Sequence, residues 1–259
     1  MLSSTLLTLG LAIWGATANV IPVFENATEF SLDRRALATV YTKCTVAKNV
    51  ALTFDDGPWV YMYDVVKALD AAGAKGTFFV NGNNYECIYN ADEIKRVKYA
   101  YDHGHQLASH TWAHLDLSTL SWDKIHDEMW KVEQALVRIT GAYPAFMRPP
   151  YGNYNNLVRE ASAARGQSLV TWDFDSEDSV GASVSTSKNL YTSAIAKKPN
   201  TMLALNHETY ETTVHQVLPF AIQKLQAAGY KLVTVAQCLG KQPYQSVVAA
   251  GTPDSSWHC

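Results

Sequence analysis

The sequence predicts an α/β fold whose strands run parallel, arranged either as an open doubly wound sheet or as a closed barrel. The first observation is a regular alternation, from residue 50 onward, of short β-rich runs with longer helical patterns. The second is the placement of five glycines after helical runs, where a left-handed C-terminal cap is favoured. No Gly-x-Gly-x-x-Gly fingerprint follows the first strand, which argues against a dinucleotide-binding sheet.

Seven strands and six helices are predicted in order along the chain. The strands cover residues 50–54, 76–81, 106–109, 145–148, 168–172, 202–206 and 231–235. The helices cover residues 61–72, 91–103, 122–140, 155–165, 188–197 and 212–228. Strands that alternate with helices in this way are expected to lie parallel, with the helices packed outside.

Length, composition and charge exclude several classes of protein. A chain of 259 residues is expected to form one domain or at most two, with a large core. Its 21 basic and 24 acidic side chains give a net charge of −3, which supplies no basic field for a nucleic-acid partner. Aromatic residues make up 11% of the chain, which is ordinary globular usage and argues against disorder, collagen and coiled coil.

The first residues indicate secretion. Residues 6–14 form an apolar run followed by Ala16-Thr17-Ala18, so we expect a signal peptide over residues 1–18. The run is too short to span a bilayer, and the alternative is a disordered or docked N-terminal segment. Residues 19–35 end in Arg34-Arg35 and are expected to be a pro-segment, which would carry the glycosylation sequon at Asn26. A catalytic domain over 36–240 and a packed tail over 241–259 complete the expected organisation.

Polar and ionisable residues follow or end six of the predicted strands. They are Asp55, Asp56, Asn81, His110, Arg148, Asp173, Asp175 and His207. Because the carboxyl ends of parallel strands form one face of an α/β fold, these residues are expected to converge on one bowl. That convergence favours the barrel, with an active site at its mouth.

Two groups at this mouth predict a metal site. Asp55 and Asp56 are adjacent carboxylates that repel each other, so a useful arrangement gives one to a cation and leaves the other to take a proton. The alternative is a simple turn, since Gly57 and Pro58 follow. His110 and His114 are spaced to share one face of a helical turn and bind a divalent metal; the alternative is a solvated or core-capping pair.

The remaining candidates complete an acid–base site. We expect Arg148 to orient the free carboxylate, and the backbone N–H of Tyr151 to face a developing oxyanion; the alternative is a rigid loop with a surface arginine. The acidic run 175–178 is either an exposed loop or the source of a carboxylate that holds Arg148 or His207. His207 ends an apolar strand, and opposite a metal it would be a general acid.

These segments together resemble the polysaccharide deacetylase family, the fourth family of carbohydrate esterases. The resemblance runs from about residue 50 to residue 238 and is carried by Thr-Phe-Asp-Asp-Gly-Pro, His-Thr-x-x-His, Arg-Pro-Pro-Tyr-Gly and a late Leu-Asn-His that ends at His207. It implies a distorted (β/α)7-type barrel with the active site at the C-terminal strand ends. The loop 81–89 is similar to that of secreted fungal chitin deacetylases, which implies a chitin or chitooligosaccharide substrate.

The resemblance also implies a role for each site residue. Asp55 is then the catalytic base, Asp56, His110 and His114 are the ligands of a divalent metal, Zn²⁺ or alternatively Co²⁺, and His207 is the acid. Arg148 tethers Asp55, the Tyr151 backbone contributes to the oxyanion site, and Asp178 supports the acid or the arginine. One departure from the family pattern is Ser179, where a Trp that walls the substrate groove is expected; Trp172 or Trp112 could supply an aromatic wall.

Secretion into an oxidising compartment favours bridged cysteines, and four cysteines allow three pairings. The resemblance implies a Cys44–Cys238 bridge, with Cys87 and Cys259 as the remaining pair. The expected protein is an extracellular or cell-wall monomer with no membrane or nucleic-acid partner. Rival functions are deacetylation of acetylxylan or peptidoglycan, an inactive glycan-binding barrel, and a structural wall protein, for which the chain lacks repeats.

Overall fold

The computed structural model describes residues 36–259. The predicted signal peptide, the pro-segment and the Asn26 sequon lie outside the described residues. Within residues 36–259, no helix combines the length and apolar character that crossing a bilayer requires.

The described chain alternates strands and helices as the sequence predicts. The strands are β1 Val40–Tyr41, β2 Asn49–Asp55, β3 Thr77–Val80, β4 Gln106–Ser109, β5 Ala142–Pro144, β6 Phe146–Met147, β7 Ser168–Val170, β8 Phe174–Asp175, β9 Met202–His207, β10 Lys231–Val233 and β11 Tyr244–Val247. The helices are α1 Met62–Ala71, α2 Ala91–Asp102, α3 Trp122–Thr140, α4 Asn156–Ala164, α5 Val184–Ala196, α6 Leu218–Ala227 and α7 Val235–Leu239.

Nine strands form one parallel sheet in the order β1-β7-β6-β4-β3-β2-β9-β8, with β10 also paired to β2. The buried strand β2 lies at its centre. One edge of β2 pairs with β10 at its start and with β3 at its end, and the other edge pairs with β9 along residues 50–55. Asp55 is thereby placed directly opposite His207 in the register of two neighbouring strands.

The sheet curls into a distorted barrel that closes through the chain itself. β7 pairs with β6 and β1 at one end of the sheet, and β8, which begins only four residues after β7 ends, pairs with β9 at the other end. Residues 171–173 therefore join the two ends covalently, where a regular barrel would have a continuous ladder of strands. The prediction of a distorted parallel (β/α) barrel is confirmed.

The alternation of side chains along β2 separates the barrel interior from its helical coat. Residues 50, 52 and 54 pack in the cluster that contains the helices, whereas Ala51 packs in the interior cluster with Phe79 and Ala108. Because successive side chains of a strand point to opposite faces, Thr53 and Asp55 point into the interior with Ala51. The same rule that builds the core thus directs a carboxylate into the mouth of the barrel.

All seven predicted strands and six predicted helices have counterparts, but short elements were missed. β1 and β8 have two residues each, too few to show a periodicity, and α7 has five. β11 and β5 form an antiparallel pair outside the barrel, which holds the start of the tail against the end of α3. The fifth helix begins at Val184, not at residue 188, because Ser183 caps it by accepting the N–H of Thr186.

Two disulfides connect distant parts of the described chain. Cys44, which follows β1, is bonded to Cys238 in α7, with a Cα–Cα distance of 5.1 Å. Cys87, in the loop between β3 and α2, is bonded to Cys259, with a Cα–Cα distance of 5.9 Å. Of the three pairings that four cysteines allow, this is the one that the family resemblance implies.

Candidate active site

A cavity of about 440 Å³ opens at the C-terminal ends of the strands. It is lined by Asp55, Asp56, His110, His114, Pro149, Tyr151, Trp172, Asp175, Ser179, Val180, Leu205 and His207. Of the eight polar residues predicted to converge, Asp55, Asp56, His110, Asp175 and His207 meet here, together with His114 and Tyr151, as the convergence of parallel strand ends requires. The prediction is wrong for Asp173, whose Oδ1 accepts the backbone N–H of Leu203 and which lines a separate cavity. Of the predicted metal, acid–base and oxyanion residues, only Arg148 and Asp178 do not line the cavity; they lie behind it.

The two adjacent carboxylates have different environments. Asp55 ends β2 and is only 2% exposed. Asp56 adopts a left-handed backbone conformation with φ of 73°, a strained region that Asp tolerates better than most residues. Its Oδ1 is buried without a hydrogen-bond partner, and it lies 3.5 Å from Nε2 of His110 and 3.3 Å from Nε2 of His114. Asp56 is thus placed to bind a cation, which leaves Asp55 to take a proton, as the sequence suggested.

The expectation that His110 and His114 share a helical turn is wrong. They lie in an irregular loop after β4, in which Thr111 has φ of 72° and His114 has φ of 53°. The side-chain amide of Asn81 donates to the carbonyls of His110 and Thr111, at 2.5 and 3.0 Å, and so holds this loop. A backbone reversal, in place of one turn of helix, brings the two imidazole centroids to 4.9 Å.

These three residues fit a divalent metal. One donor atom from each of Asp56, His110 and His114 lies within 4.8 Å of the other two. Nδ1 of His110 lies 2.7 Å from the carbonyl oxygen of Arg148, so its N–H is used there and Nε2 is left as the ligand atom. Burial lowers the pKa of His110 to about 3, which keeps the ring neutral. Two imidazoles and one carboxylate match the ligand set of catalytic zinc sites, with coordination positions left for substrate.

Arg148 lies behind the cavity and holds Asp55. Its Nη1 donates to Oδ1 of Asp55 at 2.8 Å and to Oγ1 of Thr53 at 2.6 Å. Its Nε and Nη2 donate to the carbonyls of Val170 and Thr171 at 3.2 and 2.9 Å. Burial raises the pKa of Asp55, while the charges of Arg148 and His207 oppose this rise. The result is a carboxylate with one oxygen fixed and the other, Oδ2, free to act.

His207, on the strand next to that of Asp55, is held by Asp178. Nδ1 of His207 lies 2.7 Å from Oδ1 of Asp178, whose Oδ2 accepts the His207 backbone N–H and the Thr213 hydroxyl. Burial lowers the pKa of His207, but the hydrogen bond and charge of Asp178, with smaller contributions from Asp55 and Asp56, raise it to about 9. The sequence left Arg148 and His207 as possible partners of Asp178, and in the structure its partner is His207.

The wall beside the metal residues comes from the Arg148 loop and from Trp172. Tyr151 has φ of 60°, and its exposed ring lies 4.8 Å from that of His114. A Cβ at Gly152 would lie 2.9 Å from the Trp172 ring, so glycine is needed for this close approach. Trp172 lines the cavity together with Ser179, whereas Trp112 points away and packs against Gly82.

Sequence reasoning missed Glu208. It is fully buried, directly after His207, and a Cβ at Gly57 would lie 1.6 Å from its Oε1. Burial and, next, the charge of Glu93 raise its pKa well above the usual range, and it packs under the turn that carries Asp56. The available signal was a glutamate directly after a strand that the sequence predicts to be buried.

This combination of fold and site is that of a hydrolase built on an α/β barrel with a metal-binding mouth. A family model described as polysaccharide deacetylase matches residues 42–170. The chain belongs to the polysaccharide deacetylase family.

Relatives and solved structures agree with this family. A chitin deacetylase of Pestalotiopsis sp. is 33% identical over 235 residues, which are 88% of this chain and 74% of the relative. A chitin deacetylase of Colletotrichum lindemuthianum is 32% identical over 89% of this chain and 96% of its own. The solved structure of the chitin deacetylase from that fungus matches with a TM-score of 0.76 and 30% identity, covering 80% of this chain and 94% of the other. The family resemblance read from the sequence is confirmed.

Proposed function

We propose that this protein is a chitin deacetylase, which hydrolyses the acetamide of N-acetylglucosamine units and releases acetate. Two relatives that are similar over most of both chains carry this activity in their names. The observation in this chain that supports it best is the arrangement across one cavity. The three candidate metal ligands, the carboxylate of Asp55 with one free oxygen, and the His207 ring held by Asp178 all face the same cavity.

The metal site is proposed to hold Zn²⁺, with Co²⁺ as a substitute, through Asp56, His110 and His114. When bound there, the cation would supply Lewis acidity, polarising the acetamide carbonyl and lowering the pKa of water. The neutral state of His110 and the separation of Asp56 from Asp55 both suit this role.

The chain's own groups would then move the protons. Oδ2 of Asp55 takes a proton from the attacking water, because Oδ1 is occupied by Arg148. The backbone N–H of Tyr151 stabilises the carbonyl oxygen as negative charge develops on it. Nε2 of His207 donates a proton to the leaving nitrogen as the C–N bond breaks, while Asp178 holds Nδ1. The products are acetate and a glucosamine unit.

Metal content tests the assignment of Asp56. The protein purified without chelator is expected to contain one zinc per chain by elemental analysis, and Asp56→Ala is expected to lose it while keeping its circular dichroism spectrum. Asp175→Asn, a carboxylate that also lines the cavity, serves as the matched control and should retain zinc. Full zinc occupancy in Asp56→Ala would contradict the ligand assignment.

Acetate release from defined glycans tests the substrate. We expect turnover of N-acetylglucosamine oligomers and of soluble chitin, and little from acetylxylan. A relative described as a probable peptidoglycan-N-acetylglucosamine deacetylase is 37% identical over 78% of this chain, so peptidoglycan fragments belong in the same panel. Release from acetylxylan alone would show an esterase and overturn the amidase proposal.

We also propose that residues 1–18 are removed as a signal peptide and 19–35 as a pro-segment, leaving a secreted monomer with a catalytic domain over 36–240 and a packed tail. The two disulfides fit an extracellular or cell-wall location. N-terminal sequencing of the secreted protein should find a start at residue 36. A mature protein that begins before residue 19 would exclude both cleavages.

A further inference from the structure

A second cleft, of about 250 Å³, lies on the outside of the barrel along α3. Three aromatic residues and three polar residues make most of its lining. They are Tyr89, Trp112, Trp130, Gln134, Arg138 and His258. The cleft is smaller than the roughly 300 Å³ at which pockets for drug-sized ligands begin, so its size suits a single sugar ring.

Aromatic rings form the floor and one side of this α3 cleft. The centroids of Tyr89 and Trp112 are 6.3 Å apart, and Trp257 lies 5.5 Å from Tyr89. The cations of Arg138 and Lys131 lie 5.7 and 6.0 Å from the centroids of Tyr89 and Trp112, so Trp130 is the ring most open to a ligand. Trp130 is 43% exposed, although an exposed indole leaves apolar surface in water. The C–H faces of a pyranose ring pack on such rings, which makes an aromatic floor suitable for a saccharide.

The charged groups that line the cleft disfavour a cationic ligand. Arg138 and Lys131 both line it, and Lys131 is paired with Asp127 only at the exposed surface, at 2.8 Å. Gln134, one turn before Arg138 on α3, offers amide groups to hydroxyl or acetamide oxygens. Among the described residues that line the cleft, no acidic side chain is present to attract a glucosamine ammonium group.

The cleft is preformed because the tail of the chain is fixed against it. The Cys87–Cys259 disulfide fastens the tail to the loop that follows β3. The backbone N–H of Gly251 donates to the carbonyl of Arg138 at 2.7 Å, and the Arg138 side chain donates to the carbonyl of Ser256 at 3.2 Å. A site held in this way loses little conformational entropy on binding.

The α3 cleft and the catalytic cavity share one loop. Trp112, on the cleft floor, lies between His110 and His114, whose imidazoles face the cavity. Gly82 N–H donates to the carbonyl of Trp112 at 3.1 Å, which joins the disulfide-bonded loop to the metal-binding loop. A polymer long enough to reach around this loop could place one sugar unit in the α3 cleft and another in the catalytic cavity.

We propose that the α3 cleft is an accessory glycan-binding site that takes an N-acetylated sugar unit of a chitin-type chain, away from the unit being deacetylated. This rests on the proposed function, because the occupant is taken to be the enzyme's own polymeric substrate. The site holds the enzyme on acetylated polymer and releases it as deacetylation introduces positive charge.

Binding to insoluble chitin by the full-length protein tests this site directly. Trp130→Ala removes an exposed ring, and Gln134→Ala removes a polar group with less effect on packing. We expect the dissociation constant for chitin to rise about tenfold in Trp130→Ala, which loses a whole ring face, and several-fold in Gln134→Ala, which loses one polar group. Acetate release from a short soluble oligomer should stay within about twofold of wild type in both variants.

The matched control is Val46→Ala, which shortens an apolar side chain that is 40% exposed at the other end of the barrel. It should bind chitin as wild type does. Unchanged chitin binding in both cleft variants would overturn the proposal, as would an equal loss of turnover on short oligomers, which would show that the cleft only supports the metal loop. If the protein released acetate from no glycan, the proposed function would fail, but chitin binding by wild type and by the two cleft variants would still test the accessory site.

Discussion

The cavities at the two ends of the barrel differ in how their lining residues are hydrogen-bonded and in the backbone conformation of those residues. The larger cavity, about 670 Å³, lies at the amino ends of the strands and is lined largely by residues of α2, β4, α7 and the segment after α7. There Oε1 of Gln106 accepts from Thr77 and from the backbone N–H of Ala236, and Thr234 and Gln237 form a capping box. Several of its polar groups are therefore used to hold secondary structure together.

The smaller cavity at the carboxyl ends has the opposite character. Asp56, His114 and Tyr151, which line it, all have positive φ, whereas no lining residue of the amino-end cavity other than glycine does. Asp55, His110 and His207 are each held through one side-chain atom, and each presents another atom to the cavity. Backbone strain and polar groups with one free atom therefore distinguish the candidate site, whereas cavity volume alone would point to the amino end.

The largest expected effect is on turnover at the carboxyl end. Asp55→Asn and His207→Ala should each lower kcat for acetate release by about a thousandfold, within the range that general acid–base groups contribute. Lys241→Ala, which changes an exposed side chain of the amino-end cavity, should leave kcat unchanged. Near-wild-type turnover in either carboxyl-end variant, with its fold checked by circular dichroism, would remove that residue from the proposed mechanism.

A large effect on stability is expected when the buried ion pair is broken. Arg148→Met leaves Asp55 buried without its partner and should lower the free energy of unfolding by about 3–5 kcal/mol, measured in urea. The double variant Asp55→Asn with Arg148→Met should recover part of this loss, because no uncompensated carboxylate remains. A double variant as unstable as Arg148→Met would show that the arginine acts through its packing on Phe79, where it lies 4.2 Å from the ring centroid.

A smaller effect concerns the pH dependence of the metal-free protein. In the folded chain the pKa of His207 is raised to about 9 from an ordinary value near 6.5. Its stabilising contribution is therefore fully present below pH 6.5 and is lost as the pH rises through 9. Asp178→Asn removes the main cause of the raised pKa and leaves burial, which lowers it.

Titration by NMR of the His207 ring in chelator-treated protein checks this. The pKa should fall by more than two units in Asp178→Asn, and the variant should lose less stability than wild type between pH 7 and 9.5. An unchanged His207 pKa in the variant would mean that Asp178 does not set its protonation.

The smallest expected effect is at the amino end. Gln237→Ala breaks the capping box of α7 and should cost about 1 kcal/mol of stability with no change in kcat. A loss of turnover comparable to that of Asp55→Asn would show that the amino-end cavity contributes to function, and the contrast between the two ends would not hold.

The sequence predicted most of the barrel because strands and helices there are long enough to show their periodicities. The convergence of Asp55, His110 and His207 followed from the parallel arrangement alone. The local conformation of the histidine loop did not, because Thr111 and His114 adopt positive φ, which residue type does not indicate. Glu208 was missed because its importance depends on its contact with Gly57, a tertiary contact with no local signature.

The disulfide between Cys44 and Cys238 turns most of the domain into a covalent ring, since 194 positions separate the two cysteines. Closing a ring of this size lowers the entropy of the unfolded chain by an amount equivalent to about 5 kcal/mol in the chain-entropy model. A protease that cuts once inside the ring releases no fragment. Catalytic groups on both sides of such a cut would stay joined through sulfur, which fits the extracellular location that we propose.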